Sequence, residues 1–282
     1  MIHTSRQVKD LIRNQSKGNS AKAQILLRIY MMERFLERMS LSDYNKNFIL
    51  KGGMLVSSMV GIDMRSTMDI DTTLKNIPLS EESVKSIIEH ITAIKLDDNI
   101  NFRIKSVSEI MDEAEYGGIR VSLEAALDMM RVPLKIDIST GDVITPREIE
   151  YEMPLMFENR KIAVLAYNTE TLLAEKLETV IARGTANTRL RDFYDIYIIL
   201  NNSVYEINSD NFSLAFHSTC KKRGSDTLIN NAELIINEIE ADENMQNLWR
   251  AYRHKFEYAK DISWDMVIES VKQLLHMEYR NI

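Results

Sequence analysis

The segment FILKGGMLVSSMVGIDMRSTMDIDTT, residues 48–73, carries the strongest structural signal in the chain. It predicts a short apolar strand, a turn at Gly52 and Gly53, a helix, and a second strand containing Asp-x-Asp. A Gly-Gly turn that opens a helix can direct backbone N–H groups at a phosphate, because glycine lets the backbone come close. Asp69 and Asp71 are two residues apart, so in a strand their side chains would project from one face.

A third carboxylate lies in a second alternating segment, RVPLKIDIS, residues 131–139. Apolar residues occupy every second position there, which predicts a strand with Asp137 on its polar face. If the two strands are neighbours, Asp137 joins Asp69 and Asp71. Three carboxylates beside a phosphate-binding turn suit Mg²⁺-dependent phosphoryl or nucleotidyl transfer. The alternative for Asp69 and Asp71 is the solvated face of an edge strand.

Four ordered motifs resemble the AbiEii/AbiGii toxin family, which are DNA polymerase β-like nucleotidyltransferases of bacterial abortive-infection and toxin–antitoxin systems. The resemblance covers about residues 20–200. The matching positions are Gly52 and Gly53 followed by Arg65, Thr67, Asp69 and Asp71; then Lys135 and Asp137; then Leu172, Glu175, Lys176 and Leu177; and finally Arg189, Arg191, Asp192, Asp195 and Ile196.

The resemblance implies an α+β fold, in which a polymerase β-like nucleotidyltransferase domain with a mixed sheet precedes an all-helical C-terminal domain. It implies an enzyme of the EC 2.7.7 type that arrests growth in phage defence, with an NTP such as GTP as co-substrate. An RNA acceptor, especially the 3′ end of tRNA, is also implied, as is a cognate antitoxin acting indirectly or at the operon. Two alternatives stay open: transfer to a protein hydroxyl, and an inactive toxin that only binds an NTP such as GTP.

Carried over to this chain, the family's site gives each matching residue a role. Gly52 and Gly53 would bind the triphosphate, Lys176 would stabilise charge on the leaving pyrophosphate, and Asp192 would be a further site acid. Asp137 would either bind a second metal ion or polarise the attacking hydroxyl. The acids that would hold Mg²⁺, in a two-ion site, are Asp69, Asp71 and Asp137.

The sequence departs from the family pattern at two positions. The usual signature at the turn is Gly-Ser, so in this chain phosphate contact at Gly53 would come from the backbone. Arg191 stands where the family usually has lysine, which keeps the charge and changes the geometry, because guanidinium is a planar fork.

The roles of two basic residues are open on sequence grounds. Arg65 would either contact phosphate or be a buried arginine that orients Asp69 or Asp71. Lys176 would either reach the triphosphate from the second domain or be a surface residue of a helix. Arg191, four residues before Asp195, could pair with it on one helix face.

Composition narrows the class of protein. The net charge of −7 and a pI near 5.4 argue against a broadly nucleic-acid-binding surface, which is usually basic. Cys220 is the sole cysteine, which excludes an intramolecular disulfide framework and cysteine-based zinc clusters. No apolar run is long enough to span a bilayer, and the first 19 residues lack a secretory h-region, so a cytoplasmic protein without membrane contacts is expected.

The pattern changes near residue 168, which predicts domains at 1–167 and 168–282. In the first domain we predict helices at 20–39 and after Ser80, and further strands at 100–107, 118–127 and 162–166. In the second we predict helices at 170–183, 191–200, 211–223, 227–241, 245–260 and 264–279.

Overall fold

The computed structural model of the chain describes residues 2–110 and 117–279. The chain divides into two compact units. Unit 1 comprises Met1–Gly141 and Ile149–Ala166, and unit 2 comprises Asp142–Glu148 and Tyr167–Ile282. The sequence patterns gave no indication that the short segment Asp142–Glu148 belongs with the second unit.

Unit 1 is built on a mixed seven-stranded sheet, with strand order β3-β4-β5-β2-β1-β7-β6 among the described residues. The pairs β1/β7 and β2/β5 are parallel, and the other neighbours are antiparallel. The strands are β1 (Phe48–Lys51), β2 (Ile70–Leu74), β3 (Asn101–Ile110), β4 (Gly118–Leu127), β5 (Met130–Thr140), β6 (Ile149–Pro154) and β7 (Lys161–Ala166), and the helices are α1 (Ser5–Ser16), α2 (Ser20–Leu41), α3 (Gly52–Val60) and α4 (Glu81–Ala93).

The core of unit 1 lies between the sheet and its helices. Helix α2 contacts β5 and β7, and α4 contacts β3 and β4. In β5 the residues Val132, Leu134, Ile136 and Ile138 are buried while the residues between them are more exposed, which confirms the predicted alternation.

Most of the predicted elements of unit 1 are confirmed within a few residues, including the helix cap at Ser80, whose side chain accepts a hydrogen bond from the Ser83 N–H. Two elements were not predicted. Helix α1 is mostly polar and buries an i, i+4, i+8 stripe of Val8, Ile12 and Ser16. Strand β6 pairs only with β7 and is largely exposed, so it lacks the apolar alternation that marks a half-buried strand.

In unit 2 the regular elements described after Tyr167 are helices. Asn168 caps the first of them through its side chain, as predicted. Two predicted helices are shorter than expected, because 3-10 turns occupy Asp226–Asn231 and Glu257–Ala259. The helices are α5 (Thr169–Arg183), α6 (Leu190–Leu200), α7 (Ser209–Arg223), α8 (Ala232–Ala241), α9 (Glu243–Lys255) and α10 (Trp264–Tyr279). Nowhere in the described ranges is a helix both long enough and apolar enough to cross a bilayer.

Candidate active site

The turn between β1 and α3 closes around a carboxylate. Gly52 has a φ of +62°, a backbone conformation that favours glycine. A Cβ atom at Gly52 would lie 2.2 Å from Oδ2 of Asp71, and the Gly53 N–H donates a hydrogen bond to the same oxygen at 3.3 Å. The Asp71 carboxylate therefore fills the space that a side chain at residue 52 would need.

The second glycine of the turn is also constrained by its neighbours. A Cβ at Gly53 would lie 2.7 Å from Thr67 Oγ1 and 3.2 Å from Arg65 Nη2. A serine at this position would therefore require the Thr67 side chain to move and would be tight against Arg65, which gives a physical reason for Gly-Gly in place of Gly-Ser in this chain.

Asp69 lies one residue before β2 begins, so the expectation that both aspartates belong to one strand was wrong for this residue. The reason is local: Thr67 Oγ1 donates a hydrogen bond to Asp69 Oδ1 at 3.1 Å, which holds residues 67–69 in a bend. Asp69 still lies near enough to Asp71 for its negative charge to raise the pKa of Asp71.

The strands that carry Asp71 and Asp137 are neighbours: β2 pairs with β5, and Asp71 lies opposite Asp137. The same register continues to both sides, with Lys51 opposite Asp71 and Arg120 opposite Asp137. Arg120 binds Asp137 through two hydrogen bonds, Nε to Oδ1 at 2.8 Å and Nη2 to Oδ2 at 2.7 Å. The sequence analysis missed Arg120, because its contact with Asp137 depends on strand register, which local periodicity does not report.

Burial and two neighbouring acids set the electrostatics of Asp71. Burial, together with the charges of Asp69 and Asp137, raises the pKa of Asp71 to about 6. Lys51 and the Gly53 N–H act in the opposite direction without cancelling the effect.

The donor set of Asp69 and Asp71 suits one divalent cation. Both supply hard oxygen ligands, and a cation between them would relieve the repulsion that disfavours ionised Asp71. Asp137 differs, because both of its oxygens accept hydrogen bonds from Arg120. Across residues 2–110 and 117–279, no three His, Cys, Asp or Glu side chains are grouped so that they could hold a metal ion.

Arg65 is a buried residue of this turn. Its side chain is close to Gly53 and donates a hydrogen bond to the Ser66 carbonyl, while its own carbonyl accepts one from Ser57 Oγ at 2.6 Å. This placement agrees with an arginine that supports the turn, and its contact with phosphate stays a prediction.

Within unit 2, the predicted site residue Lys176 lies in a cluster of charged side chains. Lys176 Nζ lies 3.0 Å from Asp192 Oδ1 and 2.7 Å from Asp195 Oδ2. Lys176 is only 7% exposed, which rules out the alternative of a surface lysine, and its contact with a triphosphate stays a prediction. Arg189 lies 3.1 Å from the other oxygen of Asp192, and the Arg191 guanidinium lies 5.5 Å from the centre of the Phe256 ring.

The structure thus brings together six of the predicted residues in unit 1 and two in unit 2. Asp195, a fully buried partner of Lys176, was predicted only as a helix neighbour. The residues grouped in unit 1 are Gly52, Gly53, Arg65, Asp69, Asp71 and Asp137, and those in unit 2 are Lys176 and Asp192, whereas Arg191 lies against Phe256.

Residues 34–270 match the family model described as nucleotidyl transferase AbiEii toxin, Type IV TA system. The chain belongs to the AbiEii family. This confirms the resemblance inferred from the four motifs and identifies the chain as a nucleotidyltransferase toxin, for which a type IV toxin–antitoxin system implies an antitoxin partner. No curated protein matches the sequence of this chain.

Two solved structures from Helicobacter pylori are similar to this AbiEii-family chain. JHP933 is 13% identical with a TM-score of 0.49, and the match covers 91% of this chain and 93% of JHP933. A putative nucleotidyltransferase is 14% identical with a TM-score of 0.48, and the match covers 91% of this chain and 96% of the other.

Proposed function

We propose that this AbiEii-family protein is a Mg²⁺-dependent nucleotidyltransferase that transfers a nucleotide from an NTP to an RNA 3′ end, in particular that of tRNA, in the cytoplasm. The observation that carries the proposal is the closure of the Gly52 and Gly53 turn around Asp71, with Asp69 beside it. In this proposal the turn that binds phosphate and the acid pair that binds the cation therefore lie side by side in unit 1.

The start of α3 supports the binding of a triphosphate. Its N-cap, Lys51, makes no side-chain capping hydrogen bond, and its first turn contains no acidic residue. N–H groups at a helix N-terminus favour anions, and Lys51 adds a positive charge at the same end. In the proposal the phosphates are held by Arg65 and by the N–H groups of this turn other than that of Gly53, which already donates to Asp71 Oδ2.

The acids have a complementary role. Asp69 and Asp71 would hold Mg²⁺, which when bound neutralises charge on the phosphates and on the leaving pyrophosphate. The acceptor hydroxyl would attack the α-phosphorus as the bond to pyrophosphate breaks. From unit 2 we propose Lys176 and Arg191 as the cations that stabilise charge on the pyrophosphate, with Asp192, 3.0 Å from Lys176, as the acid that holds the lysine in place.

The test is a labelling experiment with the purified full-length protein. Each NTP, labelled at the α-phosphate, is incubated with Mg²⁺ and either total RNA or total protein from cells. We expect label in the RNA pool, concentrated in tRNA, and none when the label is at the γ-phosphate, which reports phosphoryl transfer instead.

Variants connect the label to the site. Asp71→Asn and Asp69→Asn should abolish labelling, whereas Asp63→Asn, an exposed acid of the same segment paired with Lys22, should leave it unchanged. Label in the protein pool would support transfer to a protein hydroxyl and contradict the RNA acceptor. NTP binding with no labelled product in any pool would contradict the enzyme.

A further inference from the structure

Four charged side chains lie in register across four neighbouring strands of unit 1. In the order β4, β5, β2, β1 they are Arg120, Asp137, Asp71 and Lys51, each opposite the next. Residues directly opposite on adjacent strands share a face of the sheet, so the row places two acids side by side with one base at each end.

The two halves of this row are not equivalent. Arg120 meets Asp137 as a fork, with a hydrogen bond to each carboxylate oxygen. Bidentate pairs of this kind are among the stronger hydrogen bonds in proteins. Asp71 instead accepts a hydrogen bond from the Gly53 N–H and lies close to the second acid, Asp69.

We infer that Arg120 takes the place of a second divalent cation, so that the site binds one cation, at Asp69 and Asp71, while Asp137 is the counter-ion of Arg120. This inference rests on the proposed function, because it presumes a cation at Asp69 and Asp71. It differs from the two-ion site predicted from sequence, in which Asp137 is a metal ligand.

Two physical arguments support the exclusion of a second ion. A metal ion at Asp137 would have to replace both hydrogen bonds from Arg120. It would also lie next to the Arg120 guanidinium and within about 5 Å, one strand spacing, of the cation at Asp71, and both of these positive charges would repel it. With the guanidinium removed, Asp137 becomes a free acid beside a bound cation, which is the arrangement that recruits a second one.

The experiment counts Mn²⁺ ions bound to the full-length protein by electron paramagnetic resonance. Wild type should bind one ion per chain, and Arg120→Gln should bind a second, weaker one. The matched control is Arg103→Gln, which removes another cross-strand pair of arginine and carboxylate, Arg103 with Glu124 in β3 and β4, and should keep one ion.

A second variant tests the inference from the acid. Asp137→Asn should still bind one ion, because Asp137 is not a ligand, whereas Asp71→Asn should lose it. Two ions in wild type, one ion in Arg120→Gln, or loss of the ion in Asp137→Asn would each overturn the inference. A single ion in both wild type and Arg120→Gln would leave the proposed function standing, whereas no bound ion in wild type would overturn the cation site and the inference together.

Discussion

At Gly52, any side chain would overlap the carboxylate of Asp71, a candidate catalytic acid. We expect Gly52→Ala to destabilise the protein, because the new Cβ would lie 2.2 Å from Asp71 Oδ2 and the residue would keep a φ of +62°. The cost should be about 1 kcal/mol for the backbone conformation and about 2 kcal/mol more for displacing the carboxylate. Urea unfolding measures it.

Gly224 provides the matched control for this prediction. It has a φ of +69°, and a Cβ there would meet no atom within 4 Å. Gly224→Ala should therefore show only the backbone cost, about 1 kcal/mol. Equal destabilisation by the two variants would mean that Asp71 moves aside without penalty, contrary to a turn built around this carboxylate.

At the scale of an element, helix α2 carries two buried glutamates one turn apart in different environments. Burial raises the pKa of Glu33 to about 8, although the Met156 N–H donates a hydrogen bond to it and the charge of Arg34 opposes the shift. Glu37 instead forms ion pairs with Arg34 at 3.0 Å and with Arg160. Neutralising Glu33 should therefore raise the free energy of unfolding at alkaline pH, whereas neutralising Glu37 should lower it.

We expect Glu33→Gln to stabilise the protein at alkaline pH. A raised pKa means that the folded state holds the proton, so the stabilisation by protonated Glu33 is complete below its ordinary pKa near 4.5 and is lost as pH rises through about 8. Glutamine carries no charge to lose, so the variant should match wild type at pH ~4 and exceed it by up to about 5 kcal/mol at pH ~9. Urea unfolding at the two pH values measures this difference.

Glu37→Gln is the control from the same helix. It removes one of the two carboxylates that pair with Arg34 and Arg160 and leaves them only Glu158, so it should lose about 2 kcal/mol at pH ~9. If Glu33→Gln were no more stable than wild type at high pH, Glu33 would be ionised in the folded protein and its charge compensated.

Helices α5 and α6 are joined by the buried ion cluster of Lys176 with Asp192 and Asp195. Lys176→Met should cost about 3–5 kcal/mol, because two buried acids lose their cation. The double variant Lys176→Met with Asp195→Asn should recover much of the loss, since Asp192 still lies 3.1 Å from Arg189. Fluorescence of Trp249 and Trp264, both in unit 2, follows the unfolding.

This cluster also decides how a functional test of Lys176 must be designed. Inactivity of Lys176→Ala alone would not separate catalysis from folding, so the stabilised double variant is the proper comparison. A Lys176→Met protein as stable as wild type would show that the cluster contributes little to the fold.

Helices and strands with a clear hydrophobic periodicity were predictable from the sequence. Side-chain contacts that depend on strand register or helix packing were not. The alternation in β5 and the cap at Asn168 are local signals, and both are confirmed. The sequence left Lys176 open between a triphosphate contact and a surface position, and it could not show that α6, α7, α8 and α10 all contact α5 and that Lys176 is buried. The pairing of Arg120 with Asp137 joins residues 17 positions apart, and only the structure shows it.

At the scale of the whole molecule, the predicted site residues are divided between two units. Unit 1 holds the turn and the three acids, and unit 2 holds Lys176 and Asp192. The segment Asp142–Glu148 counts with unit 2, where the Asn168 side-chain amide donates hydrogen bonds to the carbonyls of Thr145 and Arg147, each at 2.9 Å. A chain ending at residue 168 would lose Thr171, whose Oγ1 accepts a hydrogen bond from the Thr145 N–H and donates one to the Thr145 carbonyl, each at 3.0 Å.

A sharper variant is unit 1 alone, ending at residue 166, with residues 142–148 replaced by a Gly/Ser loop of equal length. We expect it to bind Mn²⁺ as the full-length protein does, because Asp69 and Asp71 and their supporting turn are all retained, and to transfer no nucleotide, because Lys176 is missing. Electron paramagnetic resonance and the α-phosphate labelling experiment measure the two properties on one preparation. Transfer at the full-length rate would show that unit 2 serves another purpose, such as binding the acceptor or a partner, and that Lys176 is a structural residue of the helices.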